Sequence, residues 1–166
     1  MSELPYRLNV GAALFNRDGL VFMGRRGDVP AGADHVWQMP QGGIDAGEDP
    51  REAVLRELAE ETGTANAEIV AEHDEWLQYD LPADLVGRAF RGSYRGQRPR
   101  WFALRFLGTD QDIRLDAHLP AEFVEWRWVS LAEVPALAVP FKRAIYEAVA
   151  QDFAPFAAPM SREPKP

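Results

Sequence analysis

The 166-residue chain contains no cysteine. This absence excludes disulfides, thiolate metal ligands and cysteine nucleophiles, and with them a secreted scaffold held by disulfides. The chain also lacks the run of about 18 apolar residues that a membrane-spanning helix needs. Its first ten residues are too polar for a signal peptide. We therefore expect a cytoplasmic protein that does not associate with membranes.

Basic residues are outnumbered: 18 Lys and Arg stand against 26 Asp and Glu, a net charge of −8. A molecule of this charge repels polyanions as a whole, so any nucleic acid must meet a local basic patch, and DNA is not an expected partner. The length suits one compact domain with a sizeable core. We predict that domain over residues 1–153, followed by a proline-rich tail at 154–166 that frays.

Apolar runs separated by turn residues predict an alternation of strands and helices. Residues 7–15 and 20–26 predict a β-hairpin, because the Asn-Arg-Asp-Gly turn at 16–19 joins them. Residues 27–34 predict a loop, and 36–39 a short strand. Further strands are predicted at 67–79, 99–107 and 124–129, with a loop over 81–98.

Two helices complete the prediction. Asp49 and Pro50 are typical of a helix start, and Gly63 of a helix end. Between these positions, one side at helical spacing carries Val54, Leu55, Leu58 and Thr62, which indicates packing on a sheet. A second helix is predicted after Pro140 from the spacing of Phe141, Ile145, Ala148, Val149 and Phe153. Strands on both sides of a central helix favour a mixed sheet covered on both faces.

The first of these helices carries an acidic face. Glu57, Glu60 and Glu61 stand at i, i+3 and i+4, which places three carboxylates on one roughly 100° arc. Such oxygen ligands suit Mg²⁺ or Mn²⁺. Taken alone, the three glutamates favour a solvated helix face on which Arg56 pairs with Glu60 over a metal site.

The spacing around that helix is more specific. Gly42, five residues, Glu48, seven residues, Arg56-Glu57-Leu58, one residue, Glu60-Glu61, one residue and Gly63 reproduce the Nudix box, G-x5-E-x7-R-E-U-x-E-E-x-G-U. The last position departs, since Thr64 replaces a bulky aliphatic residue. The chain thus resembles Nudix hydrolases. The resemblance implies an α/β/α sandwich in which a mixed central sheet is packed by the box helix and a C-terminal helix.

The same resemblance implies cleavage of a diphosphate linked to another moiety, with Mg²⁺, Mn²⁺ or another divalent metal. It assigns metal binding to Glu57, Glu60, Glu61 and a carbonyl of Gly43 or Gly42. Similarity outside the box, described next, adds Glu122 as a metal ligand, with a surface salt bridge as the alternative for this residue. Arg56 would orient the glutamates, and either Glu60 or Glu61 would act as the base. Structural roles fall to Gly42, Glu48 and Gly63.

Sequence outside the box resembles the bacterial RNA 5′-pyrophosphohydrolase branch, which also includes dinucleoside polyphosphate hydrolases. The similar segments are WQMPQGGI, WLQYDLP, GQRPRWFAL, EFVEWRWV and PFKRAIY. This resemblance implies that substrate is bound by Arg7, Arg26, Gln41, Lys142 and the aromatic ring of Phe141. Core packing of the last helix is an equal alternative for Phe141.

A stretch without acids carries Arg88, Arg91, Arg95, Arg98, Arg100 and Arg105. Arginine suits phosphate capture, so we predict that Arg95 contacts substrate. The alternative is a solvated loop.

The leading hypothesis is removal of pyrophosphate from the 5′-triphosphate end of RNA. The close alternative is hydrolysis of diadenosine polyphosphates, and a third is hydrolysis of nucleoside triphosphates. A non-catalytic module that senses a nucleotide is disfavoured because every glutamate of the box is present.

Overall fold

The structure is a computed structural model that describes residues 4–27 and 36–159. Its strands are β1 (Tyr6–Phe15), β2 (Val21–Arg26), β3 (Trp37–Gln38), β4 (Gln41–Gly43), β5 (Ala67–Glu72), β6 (Tyr79–Asp80), β7 (Gly96–Phe106) and β8 (Phe123–Val129). Its α-helices are α1 (Pro50–Thr62), α2 (Val134–Leu137) and α3 (Arg143–Asp152). The predicted loop at 27–34 beyond Gly27, and the tail from residue 160 onwards, lie outside the described residues.

The strands form one mixed sheet. β1 runs parallel to β7 along its whole length, from the pair Tyr6 and Gly96 to the pair Phe15 and Arg105. The other neighbours are antiparallel: β2 and β4 pair with β1, β3 and β8 with β2, and β5 and β6 with β7. The predicted hairpin of β1 and β2 and the mixed sheet are confirmed.

The sheet is packed on both faces because side chains alternate along β1. Val10, Ala12 and Leu14 pack with α1 on one face. Ala13 and Phe15 belong to the opposite cluster, which includes residues of α3. This arrangement is the expected α/β/α sandwich. No helix among the described residues is long and apolar enough to cross a bilayer.

The box helix α1 begins and ends where the sequence predicts. The Asp49 side chain accepts a hydrogen bond from the Arg51 amide at 2.8 Å, and Pro50 opens the first turn. Gly63 ends the helix in a left-handed conformation, with φ of 81°. Val54, Leu58 and Thr62 are buried, as the periodicity predicts. α1 is therefore held firmly at both ends and along one face.

The structure differs from the prediction in five places. The strand predicted at 67–79 is broken into β5 and β6, and the loop predicted over 81–98 ends early, because β7 begins at Gly96. β4 and α2 were not predicted. The predicted fraying is not found at 154–159: a short 3₁₀ helix forms at Ala154–Ala157, and Phe156 packs against Phe15 and Phe153. The local pattern missed this because Phe156 packs partly against Phe15 of β1, which is distant in the sequence.

Candidate active site

A cavity of about 550 Å³ opens between α1, β4 and the loop before β8. Its charged lining mixes both signs: the cations are Arg7, Arg26 and Lys142, and the carboxylates are Glu57, Glu60, Glu61 and Glu122. Arg7 lies in β1, Arg26 at the end of β2 and Lys142 in the turn before α3. The carboxylates belong to α1, except for Glu122, which lies immediately before β8. The tertiary fold thus brings distant segments to one polar cavity.

Arg56 holds the acidic face of α1 to the loop before it. Its guanidinium donates two hydrogen bonds of 2.8 Å to Glu48 and one of 2.8 Å to the carbonyl oxygen of Gly43. It also donates to Glu57 at 2.9 Å and to Glu60 at 3.3 Å. Hydrogen bonds from Arg56 and from the Asp45 amide lower the pKa of Glu48 to about 2. Glu48 therefore stays charged and anchors Arg56, as a structural role requires.

Glu61 is the buried acid of the site, with only 6% of its surface exposed. Burial, and then the negative charges of Glu57 and Glu122, raise its pKa well above the ordinary value. The backbone amide of Gln41 donates to its carboxylate at 2.9 Å and opposes this shift, as does the positive charge of Lys142. The carboxylate is thus held in one orientation by β4.

Glu57 lies directly against the backbone of β4. A side chain at Gly42 would collide with the Glu57 carboxylate, so only glycine allows this approach. Burial raises the pKa of Glu57, while Arg56 opposes the rise. The glycine of the box is therefore needed for space around a carboxylate.

The donor set suits a hard divalent cation. Glu57, Glu60, Glu61 and Glu122 all line the cavity, and oxygen ligands are those that Mg²⁺ prefers. Burial and neighbouring negative charges raise the pKa of Glu57 and of Glu61. A bound cation would oppose both effects. No three acidic or histidine side chains in residues 4–27 and 36–159 already form a closed metal cluster. Glu57 and Glu60 point instead to Arg56.

Three cations face the carboxylates across the cavity. Arg7 donates to the Gln97 side chain at 2.9 Å, and its guanidinium carbon lies 4.6 Å from the centre of the Phe90 ring. Lys142 is 93% buried yet lines the cavity, and Arg26 lines it from the end of β2. Gln41 is also part of the lining. These four predicted substrate residues are brought together with the predicted metal residues.

Two predicted substrate residues lie elsewhere. Arg95 does not line the cavity: its guanidinium lies 3.8 Å from the Asp80 carboxylate and 5.0 Å from the centre of the Tyr6 ring. Phe141 is half-buried, and its ring packs against Tyr79 with centres 5.7 Å apart. The structure therefore does not bring Arg95 and Phe141 into the cavity wall.

The cavity also has members that the sequence did not indicate. They are Gln38, Phe90, His118, Leu119 and Pro120. Gln38 is buried in β3, whereas the other four lie in segments that carry no periodic signal. Phe90 has a left-handed backbone, with φ of 53°, which residues other than glycine rarely adopt. Only the course of the chain brings these residues to the site.

Comparison with known proteins gives consistent results. A family model described as "NUDIX domain" matches residues 5–149. The chain is 62% identical over 156 residues to a protein of Acidiphilium cryptum named "RNA pyrophosphohydrolase", with 94% of each chain covered. It is 56% identical over 162 residues to a protein of the same name from Gluconacetobacter diazotrophicus, covering 95% of this chain and 97% of the relative.

Solved structures agree on the fold. A MutT protein from Methanosarcina mazei superposes with a TM-score of 0.63 at 23% identity, covering 92% of this chain and 98% of that one. A C. elegans Ap4A hydrolase superposes with a TM-score of 0.60 at 18% identity, covering 89% and 98%. At these identities the similarity concerns the fold alone.

Proposed function

The chain belongs to the Nudix family, and on that premise we propose that it removes pyrophosphate from the 5′-triphosphate end of RNA with the help of a divalent metal, Mg²⁺ or Mn²⁺. The family, together with relatives at 56–62% identity named "RNA pyrophosphohydrolase", indicates an enzyme that acts on phosphoric anhydride bonds. The proposal includes a cytoplasmic location, which suits a chain without cysteine.

The observation that carries the proposal is the mixed charge of the cavity. A triphosphate brings several negative charges, and Arg7, Arg26 and Lys142 can neutralise them. The facing carboxylates would repel the same phosphates unless a cation lay between the two. A cavity with both sets of charges is therefore suited to a phosphate chain that binds together with a metal.

We assign the metal to Glu57, Glu60, Glu61 and Glu122, with a carbonyl oxygen of Gly43 as a further ligand. When bound, the metal would neutralise the phosphate oxygens and lower the pKa of water. Arg56 holds Glu57 and Glu60 through the hydrogen bonds described above, and the Gln41 amide holds Glu61. The protein thus orients its carboxylates before substrate arrives, which is the main source of rate in such sites.

Hydrolysis adds water to the phosphorus nearest the RNA and breaks its bond to the oxygen that bridges to the next phosphate. Pyrophosphate leaves, and RNA with a 5′-monophosphate remains. Glu60 and Glu61 are the two candidate bases to accept the proton from water, and both line the cavity. Arg7, Arg26 and Lys142 stabilise the negative charge that moves onto the leaving phosphates.

A turnover assay tests the substrate. Triphosphorylated RNA, diadenosine tetraphosphate and free nucleoside triphosphates are compared at matched concentration, with Mg²⁺ and with EDTA. We expect the largest kcat/KM for triphosphorylated RNA, pyrophosphate as the product, and no turnover in EDTA until Mg²⁺ is restored. Faster turnover of diadenosine tetraphosphate would move the assignment to dinucleoside polyphosphates.

The metal-binding residues are tested by Glu57→Gln, which keeps the shape of the side chain and removes its charge. We expect kcat to fall at least about 100-fold while the far-UV circular dichroism spectrum stays unchanged. Glu75→Gln is the matched control, since Glu75 is exposed and does not line the cavity. Near-normal activity of Glu57→Gln would contradict the assignment.

A further inference from the structure

The rim of the cavity carries an aromatic ring that the mechanism above does not use. Phe90 lies in the segment between β6 and β7, within a turn at Ala89–Gly92. Its side chain lines the cavity although the residue is 36% exposed. Because the ring lines a cavity whose other walls are mostly charged, it is a candidate contact for a ligand that binds there.

The surroundings hold the ring in place. The Arg7 guanidinium stacks 4.6 Å from its centre, and Tyr94 meets it edge to face with centres 6.1 Å apart. Phe90 has φ of 53°, and the next residue, Arg91, has φ of 58°. Left-handed backbone is costly for residues other than glycine, so two in succession persist only where contacts hold them. This turn presents the ring to the cavity beside a cation.

The rest of the lining points to what the ring would bind. Within residues 4–27 and 36–159, the apolar side chains that line the cavity besides Phe90 are those of Leu119 and Pro120, and Leu119 is 79% exposed. The other lining side chains are charged, histidine or amide groups. A ligand that satisfies both parts must join a polyanion to a flat apolar group. A nucleotide has this chemistry, since its base stacks on aromatic rings while its phosphates pair with cations.

We propose that Phe90 is a specificity-determining residue whose ring stacks on a nucleobase of the substrate, while Arg7 on the same ring contacts the phosphate chain. The inference rests on the proposed function for the identity of the substrate. It differs from the prediction for Phe141, whose ring packs against Tyr79. Phe90 thus supplies the contact to the base at the rim, and the cations supply the contacts to phosphate.

Kinetics of Phe90→Leu and Phe90→Tyr test this assignment. For triphosphorylated RNA we expect Phe90→Leu to raise KM about tenfold, within the range typical of base stacking, and to change kcat less than about twofold. Phe90→Tyr retains a ring and should restore KM. Val86→Ala is the matched control, because Val86 is exposed on the same segment and does not line the cavity.

Inorganic tripolyphosphate distinguishes two roles of Phe90, stacking on the base and positioning of Arg7. This inhibitor has phosphates and no base, so its binding depends on the phosphate contacts alone. We expect its inhibition constant to be equal for wild type and Phe90→Leu. An inhibition constant that rises in parallel with the KM for RNA would overturn stacking and leave Phe90 as a positioning residue for Arg7. An unchanged KM for RNA would overturn the proposal as well.

Binding of 2-aminopurine riboside triphosphate is measured by fluorescence and does not depend on RNA turnover. Quenching by the wild type, and its loss in Phe90→Leu, are the expected results. Equal quenching by both proteins would overturn the role of Phe90. If the wild type failed to cleave triphosphorylated RNA, the proposed function would fall while this measurement would still decide whether Phe90 stacks on a base.

Discussion

At the scale of single residues, the site contains a buried carboxylate that destabilises the folded protein and neighbouring groups that hold this carboxylate in place. Glu61 is buried beside two other negative charges, which is unfavourable in a folded protein. The Gln41 amide and Lys142 compensate in part. Such a cost is typical of functional sites, where stability and activity conflict.

The first prediction follows from Glu61. Glu61→Gln should abolish most activity and yet raise the free energy of unfolding at pH 7 by about 1 kcal/mol, measured by urea unfolding in EDTA. Because the pKa of Glu61 is raised on folding, this carboxyl destabilises the fold above its folded pKa. As pH falls through that pKa towards the ordinary value of 4.5, the wild type recovers stability.

The difference between the two proteins should therefore be largest at neutral pH and vanish in acid. Glu75→Gln, at an exposed position, serves as the control. A variant less stable than the wild type at every pH would contradict this account of Glu61.

At the scale of elements, α1 and β4 form the site together. Three acids of α1 and the strand β4 line the same cavity. The close approach of β4 to α1 requires glycine at residue 42. A side chain at Gly43 would collide with the Arg7 guanidinium, just as one at Gly42 would collide with Glu57. The glycines and glutamates of the Nudix box thus allow α1 and β4 to pack closely.

The second prediction concerns the start of α1. Asp49→Ala removes the hydrogen bond to the Arg51 amide and should lower the free energy of unfolding by about 1 kcal/mol. Activity at 25 °C should stay within about twofold of wild type, because the acids lie in the last two turns, which Gly63 and the sheet hold. Thermal unfolding and kcat check the two statements, and Asp49→Ser should restore stability. A large loss of kcat would show that the cap also positions the acids.

At the scale of the whole molecule, two clusters on opposite faces of the sheet stabilise the fold, and the chain after α3 joins one of them. Phe156 packs against Phe15 and Phe153, while Ala157 lies against the turn at Gly19. We therefore propose that the domain predicted over residues 1–153 is stabilised by the segment that follows it.

The third prediction tests this segment. Phe156→Ala should lower the free energy of unfolding by about 2 kcal/mol, since a partly buried ring is lost from the cluster. KM and kcat for triphosphorylated RNA should not change, because residues 154–159 do not line the cavity. Urea unfolding measures the first effect. Wild-type stability of Phe156→Ala would show that the segment contributes nothing to the fold.

What the sequence determined by itself is local. The hairpin at 16–19, the two ends of α1 and the acidic face with Glu57, Glu60 and Glu61 all follow from turn chemistry, capping and periodicity, which act between residues close in the chain. The spacing of the Nudix box indicated the family, and the match to the family model confirms that prediction.

Only the tertiary structure decided which distant residues meet. The resemblance implied one site for Arg7, Arg26, Lys142 and Glu122, and the physical cause of their meeting is tertiary: the sheet brings their strands and turns to one cavity. Phe90 reaches the rim through a left-handed turn, and Arg95 turns instead to Asp80. The physical reason is that such contacts depend on packing across the sheet and on loop paths, which are set by the whole core rather than by any local pattern.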